Sequence, residues 1–147
     1  MSEQECIFCK IVNGEATARK LYESPNVLAI LDIGGICFMG GEKPIPGRSL
    51  IIPKIHVERF HDLEDKVAGE IFVVAKNVAR KIKRVFDPEF VDFIIRGGRV
   101  PHTHIMLQPE FEENDPMRII FLLLETIFKP KFPDDVLDDM VRRLREA

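Results

Sequence analysis

The spacing of apolar and polar positions divides the chain into short strands, one long helix, two more strands and terminal helices. Residues 19–24 and 26–33 are rich in strand-forming side chains, and a Ser-Pro-Asn turn between them predicts a hairpin. Residues 34–47 contain too many glycines and prolines for a regular element, so a loop is predicted there. Residues 48–56 predict a third strand, which Pro53 should end or confine to a sheet edge.

A long amphipathic helix is predicted from Asp62 onward. Apolar residues recur there in steps of three and four, at Val67, Ile71, Val74, Val78, Ile82 and Val85. A residue that precedes proline disfavours helical backbone, so the helix should end at Asp87-Pro88 after about six turns.

The second half of the chain continues with strands at 90–98 and 101–109, which two glycines join into a second hairpin. Two further helices are predicted at 117–128 and 134–146, the last with acidic residues at its start and arginines at its end. The pattern therefore contains five strands and one long helix. A length of 147 residues fits one domain, 1–147.

Charge and composition exclude several classes of protein. A net charge of −3 offers no electrostatic reason to expect a nucleic-acid partner, and the basic stretch 79–86 is interpreted as the solvent face of the long helix. The longest apolar run, 119–128, is interrupted by Glu125 and too short to span a bilayer, so no membrane partner is expected. Neither a signal peptide nor a secreted disulfide framework is apparent, so a cytoplasmic location is expected.

Two histidines alternate in the last predicted strand. His102 and His104 share one face with Met106 and Gln108, while the side chains between them form an apolar face that should rest on the long helix. One strand histidine is more often a hydrogen-bonded structural residue than a catalyst. Two histidines on one face, roughly 7 Å apart, are explained as readily by a functional site as by a structural role.

Four segments resemble the motifs of the histidine triad (HIT) family. They occur in the family's order: CIFCKIVNGE, LDI, PGRSLIIPKIHVERF and VPHTHIML. The resemblance covers residues 5–109 and leaves 110–147 as a C-terminal helical extension. It implies an α+β fold, with a five-stranded antiparallel sheet and a long helix, usually in a homodimer whose two sheets join. The strand count above agrees with that fold.

The resemblance also implies chemistry, with His104 and His102 as the catalytic candidates. In HIT enzymes the middle histidine, here His104, attacks the α-phosphorus of a nucleotide, and water then resolves the nucleotidyl-histidine. An imidazole suits this task because it is largely neutral and nucleophilic near neutral pH. The substrate would be a nucleoside phosphoramidate, a dinucleoside polyphosphate or a similar ester, and no metal is required for the attack.

Nucleotide-binding positions carry over from the resemblance. Asp32 resembles the carboxylate that accepts both ribose hydroxyls, a task suited to an acceptor-only side chain. Apolar residues fall where the family packs the base: Ile7, Phe8, Ile11, Leu31 and Ile33. The alternative for these five is ordinary core.

A zinc site is the second implication. Cys6 and Cys9, together with His56 and His102, would form a four-coordinate set of two sulfurs and two nitrogens, and family members with the same Cys-x-x-Cys bind structural zinc at matching positions. The alternative is that the two thiols are small buried hydrophobes.

Two departures from the family pattern affect the phosphate. Met106 stands where the third histidine should be, and a thioether donates no hydrogen bond. The preceding turn is also short, so Arg96, Arg99 or Gln108 would have to supply donors. Three hypotheses follow: a HIT-type nucleotidyl hydrolase or transferase, a nucleotide-binding or regulatory protein with lost catalysis, and a small zinc-stabilised interaction domain.

Overall fold

The structure, a computed structural model, describes residues 5–32, 45–96, 100–111 and 132–147. Its centre is a five-stranded antiparallel sheet in the order β1-β2-β3-β5-β4. The strands are β1 Lys20–Glu23, β2 Val27–Leu31, β3 Ser49–Pro53, β4 Phe90–Arg96 and β5 His104–Glu110. The helices are α1 Ile7–Val12, α2 Asp65–Phe86 and α3 Asp134–Glu146, with a 3-10 turn at Phe60–Asp62. The predicted α+β fold is confirmed.

Several predicted boundaries shift in the structure. The third strand ends at Pro53 and lies in the middle of the sheet, so proline terminates it rather than marking an edge. The long helix begins at Asp65 instead of Asp62, because the 3-10 turn occupies the residues before it. α1 has six residues, too few to show a helical period, and was not predicted. The predicted helix 117–128 and most of the predicted loop, residues 34–44, lie outside the described residues.

The two faces of the sheet carry separate apolar clusters. Ile105 and Leu107 of β5 pack with α2 and α3 in the larger cluster, which confirms the predicted apolar face of that strand. Leu28 of β2 and Ile52 of β3 belong to a smaller cluster with α1 on the opposite face. The side chains of His104, Met106 and Gln108 alternate with Ile105 and Leu107 along β5, and they therefore point toward α1.

The C-terminal end of α2 is defined by two backbone features. Asp87 adopts left-handed backbone, with φ of 51° and ψ of 45°, and Pro88 then prevents the helix from continuing. The chain before β3 passes close to this end at Gly47, whose φ is +82° and where a β-carbon would lie 2.7 Å from the Phe86 ring. Glycine is required there for both conformation and space.

The last helix closes one end of the α2 face. α3 buries four apolar side chains in the larger cluster, namely Leu137, Met140, Val141 and Leu144. No helix among the described residues is long and apolar enough to cross a membrane.

Candidate metal centre and the neighbouring histidine

Four potential metal ligands converge between α1, the segment after β3 and the start of β5. The Sγ atom of Cys6 lies 3.4 Å from His102 Nδ1, and the Sγ atom of Cys9 lies 3.2 Å from His56 Nδ1. The two histidine Nδ1 atoms are 3.3 Å apart. All four ligand atoms lie within 4.8 Å of one another, and Cys6, Cys9 and His102 are buried.

The geometry of this cluster fits zinc. Tetrahedral zinc, with Zn–N of about 2.0–2.1 Å and Zn–S of about 2.3 Å, places its ligand atoms about 3.3–3.8 Å apart. The three separations given above, 3.2–3.4 Å, lie at or just below the short end of that range. The carbonyl oxygen of Pro53 lies 2.9 Å from His102 Nε2 and can only accept, so Nε2 carries the proton and the Nδ1 lone pair points into the cluster. Two cysteine sulfurs and the Nδ1 atoms of two histidines are the donor set of a cation site.

The second histidine of the motif is held by the first. His104 Nδ1 lies 2.8 Å from the carbonyl oxygen of His102, so Nδ1 carries the proton and donates it. The lone pair of His104 is therefore on Nε2. The Phe8 ring packs edge-on against His104, with the ring centroids 5.1 Å apart, and also contacts His102. The backbone bond and the aromatic contact together restrict the orientation of the His104 ring.

The Asp32 carboxylate forms an ion pair with an arginine on the neighbouring strand. Its Oδ2 atom lies 3.0 Å from Arg48 Nε, and the side chains are only 12% and 10% exposed.

Of the apolar residues assigned to the base, three lie on α1 and one lies on the opposite face of the sheet. Phe8 and Ile11 of α1 are buried on the face that carries His104, and Ile7 on the same helix is 44% exposed. Leu31 instead packs in the larger cluster on the α2 face, which is the ordinary-core position left open above. Ile33 and Arg99 lie outside the described residues.

The residues beyond His104 on the same face are buried. Met106 is 2% exposed, and the ladder pairs it with Leu50 on one side and Ile94 on the other. Gln108 is 1% exposed, and neither of its amide atoms has a hydrogen-bond partner among the described residues. Arg96 is the register partner of His104. The row of side chains that contains Met106 is therefore apolar, and it offers no donor where a third histidine would stand.

Comparison with known proteins identifies the family. A model of the HIT domain matches residues 13–112. The chain belongs to the HIT family. Protein hit of Bacillus subtilis is 28% identical over 149 residues, which cover 98% of this chain and 97% of that protein. An adenosine 5'-monophosphoramidase of Schizosaccharomyces pombe is 34% identical over 100 residues, 68% of this chain and 66% of that enzyme.

Among solved structures, a zinc-bound histidine triad family protein of Mycobacterium smegmatis has a similar fold. The TM-score is 0.73 at 26% identity, and the match covers 99% of this chain and 94% of the mycobacterial chain. The resemblance recognised in the four motifs is thereby confirmed. Arg48 is the polar residue of this face that the motifs did not single out. Strand alternation, which places Arg48 two positions before Leu50, was the signal that could have found it.

Proposed function

We propose that this HIT protein is a nucleotidyl hydrolase that acts at the α-phosphate of a nucleoside phosphoramidate or a related nucleotidyl ester. The observation that carries the proposal is the hydrogen bond from His104 Nδ1 to the His102 carbonyl, because it leaves a lone pair on Nε2. The monophosphoramidase of Schizosaccharomyces pombe supports this substrate class. Transfer to an acceptor other than water would use the same first step.

The proposed reaction has two displacements. The Nε2 lone pair of His104 attacks the α-phosphorus, an N–P bond forms, and the leaving group departs with the electron pair of its bond to phosphorus and takes up a proton from solvent. Water then attacks the same phosphorus and releases a proton to solvent, the N–P bond breaks, and the nucleoside monophosphate leaves while the electron pair returns to Nε2. Throughout, the carbonyl of His102 stabilises the positive charge that develops on the His104 ring.

The nucleotide would lie along the α1 face. Asp32 accepts the ribose hydroxyls, and Phe8 and Ile11, with the exposed Ile7 beside them, pack against the base. Arg96, Arg99 and Gln108 remain the proposed donors to the phosphate. Gln108 is four residues from His104, which is about 13 Å along a strand, so Arg96, the register partner of His104, suits a contact with the reacting phosphate better.

Zinc is proposed at the cluster of Cys6, Cys9, His56 and His102. The fit of the four donor atoms supports a structural ion that stabilises the junction of α1 with the sheet. His102 would then have two functions, because its ring binds the ion while its carbonyl oxygen holds His104.

A homodimer is proposed through β4. This strand is one edge of the sheet, and Phe93 and Ile95 on it are 41% and 43% exposed. Two joined β4 edges would cover these side chains and pair the edge backbone.

A nucleotide-binding protein with weak catalysis is the second candidate. The buried Met106 between Leu50 and Ile94 favours it, since this row offers no donor to a phosphate oxygen.

The decisive test compares His104→Ala with wild type on a fluorogenic adenosine phosphoramidate and in calorimetry with AMP. Loss of turnover with AMP affinity within about tenfold is expected, because a nucleophile acts mainly in the transition state. The exposed His61 provides the control, since His61→Ala should leave turnover unchanged. Retained turnover in His104→Ala would refute the mechanism. Wild-type protein that binds AMP but does not turn over the phosphoramidate would favour the second candidate.

A further inference from the structure

We propose that Arg48 is a positioning residue whose guanidinium orients the Asp32 carboxylate for the ribose hydroxyls. This inference rests on the proposed function. It adds a residue that helps the site distinguish a ribonucleotide from a nucleotide that lacks the 2' and 3' ribose hydroxyls.

The ladder between β2 and β3 places the two residues side by side. Leu31 pairs with Ser49 in this ladder. One residue further along, the backbone N–H of Asp32 donates a hydrogen bond to the carbonyl oxygen of Arg48, with an N–O distance of 2.9 Å. Residues directly opposite on antiparallel strands point to the same face. Leu50, two residues after Arg48, packs with the α1 cluster, so the Arg48 side chain shares the face of His104.

Burial makes the ion pair consequential. The two side chains are 10% and 12% exposed, and the Nε–Oδ2 separation is 3.0 Å. Solvent screens a charge pair weakly in such surroundings, and a carboxylate there without a cation would be costly.

The neighbour on the other side of Arg48 adds no competing charge. Ser49 pairs with Leu107, so one further step in the same register places Gln108 opposite Arg48. Gln108 is a buried, neutral amide, and within the part of the chain that the structure describes it has no hydrogen-bond partner. The only anionic side chain that the strand register brings next to Arg48, within the described residues, is therefore that of Asp32.

Arginine suits this function better than lysine. Its planar guanidinium presents donors in a fixed plane, whereas a lysine ammonium is a point charge on a flexible stem. Lysine at this position should therefore preserve the charge but lose part of the orientation.

The test measures the affinity of the full-length protein for AMP and for 2',3'-dideoxy-AMP by calorimetry. Arg48→Gln should weaken AMP binding at least fivefold and change dideoxy-AMP binding less than twofold, and Arg48→Lys should fall between wild type and Arg48→Gln. In an Asp32→Asn background, Arg48→Gln should have no further effect on AMP. Lys54→Gln, which removes a cation paired with Glu23 and not with Asp32, should change neither affinity.

Two results would overturn the inference. Equal losses for both nucleotides in Arg48→Gln, with wild-type binding intact, would show that Arg48 does not act through the ribose carboxylate, and the proposed function would survive. Absence of AMP binding by wild type would overturn the proposed function and this inference together. Thermal unfolding of each variant separates loss of folding from loss of Asp32 orientation. If Arg48→Gln does not fold, the milder Arg48→Lys provides the ratio of the affinities for AMP and dideoxy-AMP.

Discussion

Replacement of Met106 by histidine tests how the proposed active site would stabilise a phosphate. Met106 is 2% exposed and lies between Leu50 and Ile94 in the ladder, so its row contains no hydrogen-bond donor. Loss of one donor to a developing oxyanion typically reduces the rate about 10²-fold. We therefore expect Met106→His to raise turnover of an adenosine phosphoramidate at least about tenfold, even if only part of that loss is recovered.

The same substitution should reduce stability. An imidazole in this apolar row has a polar atom to satisfy, and an unsatisfied buried polar group costs about 1–3 kcal/mol. Met106→Leu is the matched control, because it conserves volume, costs less than about 1.5 kcal/mol and adds no donor. Its turnover should equal that of wild type. Thermal unfolding and steady-state kinetics on the same preparations separate the two effects.

An arginine that already supplies the donor predicts a different outcome. Met106→His should then change turnover little, whereas Arg96→Ala or Arg99→Ala should lower kcat with little change in KM. Unchanged turnover in all three variants would refute this account of the phosphate site, even with His104 established as the nucleophile.

Two further predictions concern metal and assembly. Protein purified without chelator should contain about one zinc per chain, and Cys6→Ser with Cys9→Ser should release it and lower the melting temperature, because a structural metal contributes folding free energy. Cys37→Ser is the control, and an unchanged melting temperature in the double variant would leave the thiols as core residues. Sedimentation should show a dimer. Ile95→Lys should dissociate this dimer, whereas Tyr22→Lys, on the opposite edge strand, should leave it intact. A wild-type monomer would contradict the proposed interface.

The sequence alone determined the elements that depend on local spacing. The apolar steps from Val67 to Ile82 specify the buried face of α2, and alternation along β5 separates Ile105 and Leu107 from the histidines. These periods follow from the geometry of the backbone itself, so no knowledge of distant residues was needed. The motif order was also readable without coordinates, and it led to the family that the comparisons confirm.

Only the tertiary structure decided which residues meet. Cys6 and His102 are 96 positions apart in the chain and lie 3.4 Å apart between side-chain atoms. Leu31, assigned to the base by motif, instead joins the core beneath α2, because it has the opposite strand parity from Leu28 and Ile30. The pairing of Arg48 with Asp32 depends on the register of β2 against β3. Register, sheet order and the docking of a six-residue α1 are non-local packing outcomes, so the spacing of residues along the chain does not specify them.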